Sequence, residues 1–515
     1  MDYLIGVDLG TTSTKAVLFD TKGKVIASAN HGYPLYRDTP DMAEEDLDEI
    51  MRAFTEAVQE VAAKAVDGQI LGVSFSSAMH SLIAFDENWQ PLTRVITWAD
   101  NRAVKYTEKL RSTGVGQEIY SKTGTPIHPM APLSKLLWLK NEQPAIYKQA
   151  AHYLGIKEYI FHKLFGVNRM DISIASGTGM LNIFDLDWDA QALEVTGVRK
   201  EQMPEPVSPY TIERGLDEAR ANALGLDPET AFVYGAGDGP LSNLGVNAIQ
   251  PGVAAVTIGT SGAIRVVTDR PKIDPKGRTF TYALDKDHWV IGGPVNNGGD
   301  VLRWARDNMF DAEKSTADLL GMDSYDLMTE IAGRVPAGAD GLLFHPYLGG
   351  ERAPIWDANA RGSFFGLTHI HTRAHMVRSV MEGIIFNIYM VALALEEVAG
   401  SLKSIQATGG FARSPLWRQM MADIFEQTVT VPKAFESGAL AATVMAQKAL
   451  GLVDNLEVIG DMIGESNDYA PQPENYEVYR ALTPIFIRLS RQLQPEYANI
   501  ADFQRKYVHT GKQSK

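Results

Sequence analysis

The sequence predicts an α/β fold made of two related halves, on three observations. The chain opens with a hairpin, LIGVDLGTTSTKAVLFD from Leu4 to Asp20, in which a glycine and hydroxyl loop joins two apolar strands. A hairpin of the same type returns at Val253–Val267. Around and between them, short apolar strands alternate with segments of helical periodicity.

The bulk composition sets limits on partners. A chain of 515 residues with 45 % hydrophobic content can bury ample core and is expected to divide into two or more domains. A net charge of -15 argues against nucleic acid or an anionic membrane surface as the main partner. Small anions stay open, because a few local cations outweigh a distant field screened within ~10 Å. With no cysteine, disulfides and thiolate metal sites are ruled out. The start, MDYLIGVDLG, carries no basic region and too short an apolar run for a secretory signal. The most apolar helical segment, Gly383–Leu395, contains Asn387 and runs into Glu396 and Glu397, so it reads as a buried helix. A cytoplasmic protein is the expectation.

Each element has a local reason. Strands Leu4–Leu9 and Lys15–Phe19 flank a turn in which Gly10 lets the chain approach a ligand closely. Thr11, Thr12 and Ser13 offer hydroxyls beside backbone N–H groups, Lys15 adds a positive charge, and Asp8 stands at the lip. That set suits phosphate oxygens and a metal-bound water. It is not the strand–loop–helix phosphate loop, since a strand follows. One such hairpin is an ordinary turn; the second copy makes it informative. Asp20-Thr21-Lys22-Gly23 turns into a third strand, Lys24–Ala29.

Ala43–Val66 reads as a helix with one apolar stripe, Leu47, Ile50, Phe54, Val58, Val61 and Ala65. Ile70–Phe75 is a strand leading into Ser76-Ser77-Ala78-Met79-His80. Ser81–Phe85 and Arg94–Trp98 are expected to pair as a hairpin, and Trp98-Ala99-Asp100-Asn101-Arg102 follows directly. A mainly helical stretch to about Phe165 leads to a proline-punctuated loop, Met203–Pro209. Strand Phe232–Gly235 then runs into the glycine loop that carries Asp238.

From Ile249 the pattern restarts. Strand Val253–Ile258, loop Gly259-Thr260-Ser261-Gly262 and strand Ala263–Val267 repeat the opening unit, and Thr279–Leu284 with Trp289–Ile291 extend it. Strand Ser404–Ala407 leads into Gly409 and Gly410, whose missing side chains leave room for a flat ring. Ser414 before Pro415 is a sound N-cap for the next helix. The tail after Val508, HTGKQSK, is polar and expected to fray.

These pieces resemble the FGGY carbohydrate kinases, as do two long stretches, Met130–Glu142 (MAPLSKLLWLKNE) and Gly362–Glu382 (GSFFGLTHIHTRAHMVRSVME). The resemblance implies a two-domain actin-like (RNase H-like) ATPase fold with a central cleft, with domains at about 1–248 and 249–515 closing over ATP and a sugar or polyol. It places Asp238 as the catalytic carboxylate, which also touches the acceptor, and Asp8 at Mg²⁺ through water. Gly10, Thr11, Thr12, Ser13 and Lys15, with Gly259, Thr260 and Ser261, would hold the phosphoryl chain. Gly409, Gly410 and Ser414 would line the adenosine pocket, with Gly299 and Arg303 nearby.

Met79, His80, Trp98, Asp100 and Arg102 would form the acceptor wall, Trp98 covering a CH face. Ala-Met-His-Ser at 78–81 and Asp238-Gly239 depart from the xylulose-kinase pattern of Gln-Met-His-Gly and Asp-Asn. With Gly155–Tyr159 and Asn296–Gly299, they bring the chain nearest to the members that phosphorylate gluconate, xylulose being the second choice. A gluconate carboxylate calls for a cation, and Arg102 and Lys157 are the candidates. A homodimer is left open, as is a different class on the same fold, a chaperone-like ATPase or a non-catalytic sugar sensor. His369, His371 and His375 have spacing that could suit a metal, but no carboxylate completes a known pattern.

Overall fold

In the computed structural model, which describes residues 2–432 and 437–507, the chain forms two compact units. The first comprises residues 1–251, 267–291 and 433–465, and the second 252–266, 292–432 and 466–515. A single cut at 248/249 therefore does not describe the division, because two later segments return to the first unit. The tail expected to fray lies outside the described residues.

The first unit is organised on a six-stranded sheet. Its strands are β1 (Asp2–Leu9), β2 (Ser13–Asp20), β3 (Val25–Gly32), β4 (Gln69–Ser77), β5 (Ile212–Glu213) and β6 (Ala231–Gly237), in the order β5-β6-β4-β1-β2-β3. β1 pairs antiparallel with β2 and parallel with β4, and β6 joins β4 in parallel. Strand β1 is buried on both faces, as its unbroken apolar run requires. Ile5, Val7 and Leu9 join the cluster of Phe54, Val58, Phe75 and Phe232. The alternate residues Leu4 and Gly6 face the other layer.

Helix α1 (Leu47–Ala62) covers the first of these faces, burying Ile50, Phe54, Val58 and Val61. It starts later than expected from sequence. Glu44–Glu45 pair as a short strand with Val95–Ile96, and Asp46 then caps the helix by accepting from the N–H groups of Asp48 and Glu49. Helix α2 (Ile156–Phe165) lies in the same layer through Ile160, Phe161 and Leu164.

The hairpin expected between Ser81–Phe85 and Arg94–Trp98 is reduced to a bridge, Leu82 with Ile96. Residues Ile83–Phe85 pair instead with His152–Leu154. Met203–Pro209 is not all loop, since Glu205–Val207 pairs in parallel with Arg169–Asp171. Both differences come from partners distant in sequence, which local pattern does not encode.

β6 delivers the chain to helix α3 (Asp238–Leu244), and the delivery depends on a bulge. Its register against β4 shifts between Val233 and Ala236, and Gly235 there adopts φ +64. A side chain at Gly235 would place its Cβ 2.0 Å from the Phe75 carbonyl oxygen, so only glycine fits.

The second unit repeats the central motif. Strands β7 (Val253–Ile258) and β8 (Gly262–Thr268) form an antiparallel hairpin, with β9 (Trp289–Val295) beside β8. On the other side of β7 lies β10 (Ser404–Thr408) in parallel, followed by β11 (Val429–Pro432) and β12 (Ser466–Tyr469). The order β9-β8-β7-β10 reproduces β3-β2-β1-β4, so the repeat read from the two hairpins is a repeat of sheet topology. Helices α4 (Gly299–Met309), α5 (Arg373–Ala399) and α6 (Pro415–Phe425) belong to this unit. Helix α5 has 27 residues and is apolar enough to cross a membrane by composition, but 83 % of its most apolar window is buried in the fold.

Helix α7 (Ser437–Ala449) returns to the first unit and fills the second face of its sheet. Gly6 allows the contact, because a Cβ there would lie 2.1 Å from the Ala439 carbonyl oxygen. The same helix start meets α3, where a Cβ on Gly245 would lie 2.2 Å from the Ser437 oxygen. Gly6→Ala forces helix and sheet apart, and the expected cost is about 1–3 kcal/mol. The check is a thermal melt, in which Tm falls by about 2–5 °C; an unchanged Tm would mean the helix can step back freely.

Candidate active site

In the first unit the opening hairpin makes a tight turn with three of its carbonyls engaged. Gly10 N donates to Ser13 O at 3.0 Å, Tyr33 N donates to Thr12 O at 3.0 Å, and Tyr33 Oη donates to Gly10 O at 2.5 Å. Among the described residues the N–H groups of Thr11 and Thr12 make no bond to protein, which leaves the turn donor-rich on its outer side. Asp8 sits opposite Lys15 on the β1–β2 ladder and opposite Ser76 on β4. A Cβ on Gly438 would lie 3.9 Å from the Asp8 Oδ2, so this carboxylate faces the first turn of α7.

Asp238 is the first residue of α3, exposed at the end of a wholly buried strand. Its Oδ1 accepts from Gly239 N at 2.8 Å, and its carbonyl accepts from Ser242 Oγ at 2.7 Å. The residue before it is held too, since Gly237 N donates to Ser173 Oγ at 3.1 Å. Ser173 belongs to a short helix, Ile172–Ser176, capped by the buried Asp171, whose Oδ1 accepts from Ser173 N and Ile174 N.

Lys157 is at the far end of this line. Its side chain is fully buried with Nζ 2.6 Å from Asp171 Oδ2. Named as a candidate cation for a carboxylate substrate, it is instead buried against Asp171. The other candidate, Arg102, has its guanidinium 2.5 Å from Glu44 and 2.8 Å from Asp100, with Trp138 stacked 4.2 Å away. Two carboxylates already match its charge. Asp100 is itself buried, accepting from Ala43 N, Arg102 N and Arg102 Nε, so it shapes the loop rather than lining a surface.

The wall at 78–80 divides into core and surface. Met79 is 5 % exposed and wedged between Gly177 and Gly237, where a Cβ would come within 2.7 Å of its side chain. It is a core residue that fixes the approach to Asp238. His80 takes the left-handed conformation with φ 70. Its Nδ1 lies 2.7 Å from the Gly177 carbonyl, which only accepts, so Nδ1 carries the proton. Nε2 then points to Tyr282, whose hydroxyl is 3.5 Å away. Trp98 is 41 % exposed and donates from Nε1 to Thr11 Oγ1 at 2.9 Å.

Lys135 is a supporting residue that sequence reasoning missed. Its Nζ donates to the carbonyls of His80 and Met130, the latter at 2.8 Å, and burial pulls its pKa down to about 7. Burial likewise pushes the nearby Glu45 up to about 8. The signal was a lysine among buried Leu133, Leu136 and Leu139 of a helix, where a charge is out of place unless it has work there.

In the second unit the hairpin loop is gripped by the start of α4. Gly259 N donates to Ser261 O at 2.9 Å, Gly299 N to Gly259 O at 2.7 Å and Asp300 N to Thr260 O at 3.2 Å. A Cβ on Gly298 would lie 2.6 Å from Ser261, which explains the paired glycines. The preceding asparagines anchor this turn on Glu351, whose buried carboxylate accepts from Asn296 N, Asn297 Nδ2 and Asn387 Nδ2. Gly409, at φ +99, packs on the end of β7, where a Cβ would be 2.4 Å from the Ile258 oxygen. Gly410 has open space on its side-chain side. Ser414 caps α6 by accepting from Trp417 N at 3.2 Å, as its sequence position predicts. Arg303 is exposed on α4, one turn beyond Gly299. Of the histidines of the long second stretch, His375 forms a capping box with Thr372 at the start of α5 and bonds Asp340, while His371 bonds Thr368.

Residues 3–245 match the N-terminal domain and residues 254–450 the C-terminal domain of the FGGY family of carbohydrate kinases. The chain belongs to that family and is an ATP-dependent carbohydrate kinase. Among relatives, the gluconokinases of Bacillus licheniformis and Bacillus subtilis (strain 168) are 53 % and 52 % identical to it. Those alignments cover 98 % of this chain, and 98 % and 99 % of theirs. A xylulose kinase of Bacillus subtilis (strain 168) is 29 % identical, covering 94 % of this chain and 96 % of its own. Of solved structures, gluconate kinase from Lactobacillus acidophilus superposes with a TM-score of 0.93 at 44 % identity, over 97 % of this chain and 99 % of that one.

One buried acid in this region gives a pH signature. Glu158 follows Lys157, and its carboxyl is buried. Burial pushes its pKa from 4.5 up to about 7. The folded chain thus holds this proton more tightly than the unfolded chain does. The stabilisation is complete below about 4.5 and is lost as pH rises through about 7. Its size is about 3 kcal/mol. Unfolding by urea at about pH 5 and about pH 8 should show a smaller loss of stability in Glu158→Gln than in the parent. Equal losses would assign the effect to other groups.

Proposed function

We propose that this kinase transfers the γ-phosphoryl group of ATP to a hydroxyl of D-gluconate, giving 6-phosphogluconate. The observation that carries the choice of acceptor is the 52–53 % identity to gluconokinases across nearly the whole chain, against 29 % to a xylulose kinase. Xylulose is the second reading, favoured by a solved structure titled ligand-bound xylulose kinase from Lactobacillus acidophilus, 43 % identical with a TM-score of 0.92.

In this reading Asp238 accepts the proton of the attacking hydroxyl. Phosphoryl transfer asks the protein mainly for alignment and charge stabilisation, with a base within reach of the nucleophile. Support comes from its placement: a carboxylate exposed at the end of a buried strand, with Gly235, Ser173 and Met79 fixing the backbone beneath it. The donor-rich turn Gly10–Ser13 with Lys15 takes phosphoryl oxygens, and Gly259–Ser261 serves the nucleotide in the second unit. In this reading the space beside Gly410 takes the flat base, Gly409 and Ser414 line it and Gly299 and Arg303 contribute from the start of α4.

Mg²⁺ would neutralise charge on the triphosphate. It usually binds through one or two carboxylates plus phosphates and water rather than in an all-protein cage. Asp8 fits such a role, and among the described residues no cluster of three ligating side chains competes with it. His80 and Trp98 present ring and nitrogen to the acceptor, while Asp100 and Arg102 brace the loop behind.

An assay of ADP release across gluconate, xylulose, glycerol and ribulose tests the acceptor. Gluconate should stimulate release most, and a larger response to xylulose would transfer the assignment. Asp238→Ala should lower kcat by ~10²–10⁴ with ATP binding largely kept; near-normal turnover would remove Asp238 from the role of base.

A further inference from the structure

Trp98 and Thr11 are 87 residues apart in sequence and joined by one hydrogen bond, indole Nε1 to Thr11 Oγ1 at 2.9 Å. An indole N–H can only donate. The Thr11 oxygen must therefore accept at that site, and its own proton is turned away from the ring. A threonine hydroxyl otherwise rotates freely between donor and acceptor roles. Here the choice has been made in advance.

The surroundings give that choice a consequence. The carbonyls of Gly10, Thr12 and Ser13 are each engaged within the turn. What the turn offers outward includes donors, namely the N–H groups of Thr11 and Thr12 and a hydroxyl oriented to donate. Acceptors left in such a place would repel phosphoryl oxygens. Meanwhile the indole ring stays 41 % exposed, so a ligand lying on its face can hold it still.

We propose that Trp98 is a positioning residue for the phosphate hairpin. Its N–H fixes the Thr11 hydroxyl as a donor to phosphoryl oxygens, so that an acceptor stacked on the ring tightens nucleotide binding. This inference rests on reading residues 78–102 as the acceptor wall and 10–13 as the phosphate turn. The coupling is reciprocal: nucleotide must tighten the acceptor by the same factor.

The test uses the full chain, with the affinity of a non-hydrolysable ATP analogue and Mg²⁺ measured by calorimetry with and without gluconate. Gluconate should tighten the analogue by about fivefold or more in the parent protein. Trp98→Phe keeps a ring but loses the N–H, and Thr11→Val loses the hydroxyl; in both the factor should fall to about one. Thr11→Ser should retain it. In the double variant the losses should not multiply, because one interaction has been removed twice.

The proposal is overturned if Trp98→Phe keeps the gluconate effect and only its KM for gluconate rises, for the ring alone would then matter. It is also overturned if the losses in the two single variants multiply, or if gluconate stimulates ADP release yet leaves analogue affinity unchanged in the parent. Failure of the gluconate reading is separately visible as absence of gluconate-stimulated ADP release. In that case the analogue affinities of the two single variants, measured without acceptor, still decide whether the hydrogen bond positions Thr11: equal weakening supports it and parent-like binding refutes it.

Discussion

The first unit depends on the contact of backbone with backbone where helix α7 meets β1 and α3. Gly6 and Gly245 have no side chains, and the carbonyls of Ala439 and Ser437 fill the space. One helix start is thereby seated against the strand that carries Asp8 and against the helix that begins with Asp238. The relation of those two carboxylates depends on the strand and the helix that bear them and on a segment that comes far later in the sequence than either. Close packing transmits small displacements because interiors hold few voids. A slip of α7 would be felt at both acids.

Much of this architecture is legible in the sequence, and what is not has an identifiable cause. The two hairpins, the cap at Ser414 and the apolar stripe of α1 are local signals, and each appears where the pattern puts it. The pairing of Ile83–Phe85 with His152–Leu154 and the return of α7 to the first unit are decided by distant partners. Helix α7 is short and alanine-rich. Nothing in its own periodicity says which sheet it will cover. Gly6 was the available clue, an unexplained glycine in the middle of an apolar strand.

The charged residues of the candidate site teach a different lesson. Arg102 and Lys157 look alike in sequence, as cations near motifs that would meet an anion, and Lys135 is a third cation in the same region. In the fold, Lys157 and Arg102 are matched by Asp171, Asp100 and Glu44, and Lys135 is spent on two carbonyls. Burying a cation is costly unless it is paired or hydrogen-bonded, so each marks a place where backbone must be held. Lys157 stands at the head of a line through Asp171 and Ser173 to the residue before Asp238. Lys135 stands under His80. Sequence motif identified the neighbourhood, and only burial separated scaffold from surface.

The left-handed backbone at His80 restricts how this wall can change over generations. A lysine ammonium grips its carbonyl from below, so the main chain there keeps its course whatever side chain it bears. Residues that tolerate that conformation are few: glycine, asparagine, aspartate and histidine are the main ones. Divergence toward new acceptors at this position is thereby channelled into a short menu of small polar groups and imidazole, while bulky or β-branched alternatives are barred by the chain before any ligand is consulted.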